Sequence, residues 1–249
     1  MRMLQSGNPL LGEKNFRSMA LDASAGTMTV QGTINKTAAL VGLAMLSGAF
    51  TWSKFVEGGA SAVGIWLILG TVVGLIAALV TIFKKDVAFA SAPVYAVAQG
   101  LVMGGISAIF ESQYPGVVMQ AVTLTFGVMV MMLGLYKFGL IKVTDKFKMG
   151  VVAATGGLAL IYLLSFVLGM FGMMPTMLFG NGIFGIGFGF LVVGIAALNL
   201  VMDFDMVEQA ASGGAPKATE WYGAFALVVT LIWLYIEILR LLVRFRSRD

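Results

Sequence analysis

The stretch Leu231-Ile-Trp-Leu-Tyr-Ile-Glu-Ile-Leu-Arg-Leu-Leu242 sets an acid, Glu237, inside a run of otherwise apolar residues. The run extends from about Trp221 to Val243, which meets the length of about 20 residues that a helix rising 1.5 Å per residue needs to cross a bilayer. A carboxylate in mid-membrane costs about 2.5–3.5 kcal/mol on insertion scales, so it faces a bundle interior or a water-filled path rather than lipid. This helix therefore implies neighbours.

Working back along the chain, six more apolar segments appear: Lys36–Trp52, Gly59–Phe83, Ala90–Phe110, Gly116–Tyr136, Met149–Phe171 and Gly182–Met202. The expectation is an all-α, polytopic membrane protein with seven transmembrane helices in one domain over residues 34–249. Residues 1–33 are polar and turn-rich and lack the continuous apolar core of a secretory signal, so they predict an uncleaved, disordered tail. Glycine pairs at Gly70/Gly74, Gly100/Gly104 and Gly185/Gly189 stand four apart, the spacing that lets membrane helices approach closely.

Composition agrees. The chain is 59% hydrophobic and 11% charged, against about 25% charged in a soluble domain. It contains no His and no Cys, which excludes disulfides, thiolate nucleophiles, zinc sites built on nitrogen or sulfur, and an imidazole proton switch. Any pH sensing falls to carboxylates, and any metal handled is a hard, oxygen-seeking cation. A rhomboid-type Ser-His dyad is excluded, and the Gly-x-Gly-Asp motif of aspartyl intramembrane proteases is absent. No enzyme, no cofactor and no nucleic-acid partner is expected; the partner is the lipid bilayer.

Lys and Arg in short loops favour the cytoplasm. With seven spans, one side collects eleven of them: Arg2, Lys14, Arg17, Lys36, Lys84, Lys85, Lys137, Lys142, Lys146, Lys148 and Lys217. The other collects Lys54, Arg240, Arg244, Arg246 and Arg248. The N-terminus is expected inside. The basic C-terminus then lies outside against the rule, or one segment fails to cross.

The acids are the candidates for function. In Asn199-Leu-Val-Met-Asp203-Phe-Asp205-Met-Val-Glu208, helical spacing makes Asp205 and Glu208 neighbours and turns Asp203 elsewhere. This is either an acidic helix end in interfacial water or an inward-facing site. Glu237 has Arg240 three residues on, within reach on the same face. It forms either that local pair or a contact with an Asp of the sixth helix. Two close carboxylates cannot both ionise cheaply in low dielectric, so such a contact would share a proton and answer to pH. Counting from a turn at Ser212–Thr219 sets Glu237 roughly ten residues, or about 15 Å, deeper than Asp205, a mismatch that a long structured loop would have to absorb.

Leu234-Tyr-Ile-Glu-Ile-Leu-Arg-Leu-Leu242 resembles the last-helix pattern Leu-Tyr-Leu-Asp-Phe-Ile-Asn-Leu-Phe of the Bax inhibitor-1/YccA-like (transmembrane Bax inhibitor motif) family. Phe204-Asp205 resembles the aromatic-Asp pair ending that family's sixth helix. Pro115-Gly-Val-Val-Met-Gln-Ala-Val-Thr-Leu-Thr125, with Tyr136 and Phe147 beyond, resembles its fourth helix and basic loop. The polar N-tail and Glu220-Trp-Tyr-Gly-Ala-Phe-Ala are similar to the longer bacterial branch.

The resemblance implies a seven-helix bundle with the last helix central, in a bacterial cytoplasmic (inner) membrane. It also implies a pH-sensitive calcium leak gated by Asp205 and Glu237, with Asp203 as the fallback, Asp205 and Glu237 making transient calcium contacts. Arg240 and Glu208 are candidate modulators, and Lys84 and Lys85 candidate basic latches. The alternative implied is a regulator that binds or inhibits a membrane-bound AAA protease, with the N-tail as its contact.

Overall fold

The computed structural model describes residues 26–173 and 176–247. Helix α1 (Val30–Phe83) leads through a 3-10 turn (Lys85–Val87) to α2 (Ala88–Gln113). Then follow α3 (Val117–Lys137), α4 (Asp145–Met170), the single turn α5 (Thr176–Phe179), α6 (Ile183–Ser212) and α7 (Thr219–Arg246). All but α5 are long and apolar enough to cross a membrane. The described residues form no strand, and the chain is an all-α polytopic membrane protein.

Straight, α1 would be about 80 Å long, far more than a hydrocarbon core of about 30 Å. It breaks at Gly59 (φ 68°, ψ −160°), a backbone state that a Cβ disfavours. The two arms, 30–58 and 60–83, fold back on each other, with Phe50 edge-on to Trp66 at 5.0 Å between ring centroids. Six long helices thus make seven crossings, the number the apolar segments predict.

Most helices outrun the expected segments because their polar ends continue beyond hydrocarbon. α6 continues from Met202 to Ser212, and α4 starts at Asp145, where Thr144 caps it by accepting the Phe147 N–H at 3.2 Å.

The tail expected over 1–33 lies, for residues 1–25, outside the described residues. From Gly26 the chain is tied to the α6–α7 turn: Thr27 bridges Pro216, and the Met28 N–H donates to Ala215 O at 2.8 Å. α1 begins at Val30, ahead of the expected boundary at residue 34.

Four contacts identify one end of the bundle as lysine-rich. There Lys36 pairs with Glu220, Lys85 lies 5.0 Å over the Tyr222 ring, Lys137 meets Glu208, and Lys148 meets Asp205. At the opposite end Arg244 donates to Gly185 O at 2.7 Å and Arg246 to Pro115 O at 2.5 Å. All seven segments cross, so the basic C-terminus sits opposite the lysines, with two of its arginines donating to backbone carbonyls of neighbouring segments.

α7 is the central helix, packed by α1, α2, α3 and α6. Leu227, Leu234, Ile238 and Leu239 join Val117, Ala121, Ala196 and Leu200 in one core; Ala224, Phe225 and Val228 join Leu40, Tyr95 and Ala96 in another. The glycine pairs act as intramolecular contacts: a Cβ at Gly104 would strike the Gly48 backbone, and one at Gly70 would reach Ala98 O at 2.6 Å.

Candidate functional site

Because α6 is continuous to Ser212, its acids stand on a helix inside the bundle rather than in an interfacial loop. Asp205 is buried and accepts from Lys148 Nζ of α4 at 2.8 Å, from Gln209 Nε2 at 2.7 Å and from the Tyr136 hydroxyl of α3 at 3.3 Å. Glu208, one turn on, accepts from the same hydroxyl at 2.6 Å and from Lys137 Nζ at 3.4 Å. Tyr136 therefore bridges the two neighbours that the 3.6-residue repeat sets side by side. Asp203 turns the other way, toward α7, and accepts from Thr230 Oγ1 at 2.5 Å.

Glu237 is 5% exposed, and its carboxylate accepts from the Tyr162 hydroxyl of α4 and from Arg240, both at 3.1 Å. The local pair with Arg240 is thus formed, while the arginine itself reaches outward, half exposed.

The expected contact between Glu237 and an Asp of α6 is not made. α6 and α7 run antiparallel, with Asp203 level with Thr230. Asp205 lies nearer the lysine-rich end, and Glu237 is about nine residues, or about 13 Å, deeper. The turn between Ser212 and Thr219 is short and tied down by residues 26–28, so nothing absorbs the mismatch. A shared proton or a cation held jointly by Asp205 and Glu237 has no geometric basis here, and no cluster of three or more metal-ligating side chains exists among the described residues.

Lys84 and Lys85, the candidate basic latches, form no salt bridge among the described residues. Lys84 caps α1 and is exposed, and Lys85 lies over Tyr222. The basic partner of Asp205 is Lys148.

Hydropathy starts the fifth segment at Met149 and so leaves Lys148 in the basic loop before it, whereas α4 begins at Asp145 and includes Lys148. The overlooked signal is the N-cap Thr144, which adds a turn to α4. With that turn present, Lys148, Thr155 and Tyr162 stand at seven-residue steps on one face, each meeting a polar group. Lys148 meets Asp205, Thr155 Oγ1 accepts from Asn199 Nδ2 at 2.8 Å, and Tyr162 meets Glu237. A polar seam thus runs between α4 and the α6–α7 hairpin.

The opposite face of α7, at Val228, Leu231, Ile232 and Tyr235, borders a cavity of about 730 Å³ between α1, α2 and α3. Its lining is almost wholly apolar, apart from groups such as the Ser107 and Tyr235 hydroxyls, which bond at 2.6 Å. The acids of α6 and Glu237 do not line it.

A bundle of seven crossings around a central last helix, with acids buried on its final hairpin, defines a polytopic membrane protein with a polar seam inside it. The Bax inhibitor 1 like family model matches residues 8–247, and the chain belongs to that family. Comparison with curated proteins finds no match. Comparison with solved structures likewise finds none.

Proposed function

We propose that this protein is a passive, pH-sensitive leak for calcium in a bacterial cytoplasmic membrane, with the lysine-rich end inside, and that it has no catalytic activity. The observation that carries this reading is the ion pair between buried Asp205 and Lys148 of a different helix. While Asp205 is ionised, the ammonium occupies the position a cation would take and ties α4 to α6. A proton on Asp205 removes the attraction, so Lys148 withdraws and the leak opens as pH falls.

Glu237 supplies a second anionic station nearer the other end. Calcium takes oxygen ligands from carboxylates, carbonyls and water, and conduction needs sites weak enough to leave. Two separated single carboxylates suit such stepwise passage better than a tight joint site. The sensor is therefore not a shared-proton pair but Asp205 with Lys148, and Glu237 beside Arg240 serves passage alone.

The test is calcium flux into proteoliposomes as a function of pH for wild type, Asp205→Asn and Glu237→Gln. Asp205→Asn is expected to leak at neutral pH and lose the acid response. Glu237→Gln is expected to conduct less at every pH. Unchanged flux and unchanged pH dependence in both variants would overturn the proposal.

The reading as a regulator of a membrane-bound AAA protease stands on the resemblance, and its expected contact lies mostly outside the described residues. Deleting residues 2–25 while monitoring co-purifying protease separates the two functions: loss of the protease with flux retained would favour regulation.

A further inference from the structure

We propose that the cation path runs along the seam between α4 and α6–α7, that the Thr155–Asn199 pair is its midway station, and that α4 is the wall that moves. This rests on the leak reading and adds the route and the moving part.

Three observations support it. The first is continuity. From Glu208 through Asp205, Asn199 and Glu237 to Arg244, polar groups succeed one another along α6 and α7. By helix rise that succession covers about 28 Å, close to the hydrocarbon thickness of about 30 Å. Oxygen-bearing side chains at such intervals replace hydration step by step, as a hard cation requires.

The second is the weak attachment of α4. Its backbone approaches only that of α6 among the spanning helices, and Val151 and Leu158 are its only buried residues. Leu160, Leu163, Leu164 and Phe166 are each more than half exposed. In lipid, apolar contacts between helices gain no hydrophobic drive, so α4 is held chiefly by Lys148, Thr155 and Tyr162. Each of these contacts is also one that a passing cation would break. Releasing the wall and admitting the ion are therefore the same event.

The third is contrast. The cavity across α7 has Glu57 as the one acid in its lining, and Lys54 pairs with it at 2.6 Å. Entering it, a cation would exchange water for methyl groups. An acyl chain suits that space, an ion does not.

The charged and titratable groups facing the seam are Asp205, Glu208 and Asp203 on α6; Glu237, Arg240 and Arg244 on α7; Lys148 and Tyr162 on α4; and Tyr136 and Lys137 on α3. Of these, Asp205–Lys148 alone joins the moving wall to the fixed hairpin by opposite charges.

The chain has no cysteine, so introduced thiols report single sites. The double variant Thr155→Cys/Asn199→Cys, measured against its own flux before bridging, is expected to lose at least nine-tenths of that acid-stimulated flux (roughly tenfold) once bridged by a short bifunctional methanethiosulfonate, and to regain it with reductant. Val122→Cys in the cavity, modified by a bulky monofunctional reagent, is expected to conduct as wild type. If the double variant does not fold, Thr155→Cys alone carries the test: a water-soluble cationic thiol reagent should modify it faster in acid and block flux. Full flux through a bridged seam, or block from Val122→Cys, overturns the route. Absence of acid-sensitive flux in wild type instead overturns the leak reading itself.

Discussion

Replacing Lys148 by Met removes the charge that holds Asp205 while keeping a flexible apolar stem of similar length. The pair is 2.8 Å apart, with the Asp205 side chain 11% exposed and the Lys148 side chain 36% exposed. At an effective dielectric of about 20, the gross attraction at that distance is about 6 kcal/mol. Desolvation and screening take back most of it. Breaking a buried pair costs about 3–5 kcal/mol and an exposed one under about 1, so this half-buried pair contributes about 2 kcal/mol to holding α4. That is a factor of about 30 in the balance between tied and released α4. Lys148→Met is therefore expected to raise calcium entry at neutral pH by up to about 30-fold, saturating at the wild-type acid level, and to flatten the pH profile. The assay is calcium-indicator fluorescence in proteoliposomes. Because the two residues act as one contact, Lys148→Met/Asp205→Asn should leak no more than the leakier single variant. Wild-type flux and a wild-type pH profile in Lys148→Met would refute the reasoning, since Asp205 would then be sensing pH without its partner, or not at all.

Three further outcomes follow from other contacts. Thr230→Val leaves the Asp203 carboxylate without the hydroxyl that bonds it at 2.5 Å, and should lower stability by about 1–3 kcal/mol, read as an earlier thermal midpoint in detergent. Glu220→Gln removes the charge partner of Lys36 at a site 1% exposed. It should cost about 2 kcal/mol and speed amide exchange at Met28 and Thr29, whose segment is anchored there. Gly104→Val should separate α1 from α2 and abolish a monodisperse peak on size-exclusion chromatography, whereas Gly156→Ala, with open space around its Cβ position, should behave as wild type.

The fold was largely legible because bilayer thickness sets element length. Segments such as Gly59–Phe83 and Gly116–Tyr136 lie close to their helices, and the expected start at Gly59 coincides with the break in α1. Helix ends were read less well, because hydropathy marks where hydrocarbon stops and not where the helix does. That is why hydropathy leaves Asp203, Asp205 and Glu208 open between a helix end and an inward-facing site, and why it places Lys148 before the fifth segment.

The site was half legible. Helical spacing gave Asp205 beside Glu208 and Arg240 beside Glu237. The level of one helix against another is set by loop length and by contacts such as Thr27 with Pro216, which no single-segment pattern encodes. Counting residues from the turn did flag the offset between Asp205 and Glu237. The identity of the partners Lys148, Tyr162 and Thr230 required the packing itself.

That the last helix is the central one has a consequence for biogenesis. Lys36 and Glu220 meet across 184 residues of sequence. The earlier crossings therefore leave the translocation machinery before the helix they pack around, and the bundle cannot close until α7 has been made. A chain that stopped between α6 and α7 would present Lys36 without Glu220 and the Tyr162 hydroxyl without Glu237, two polar groups left exposed inside the membrane.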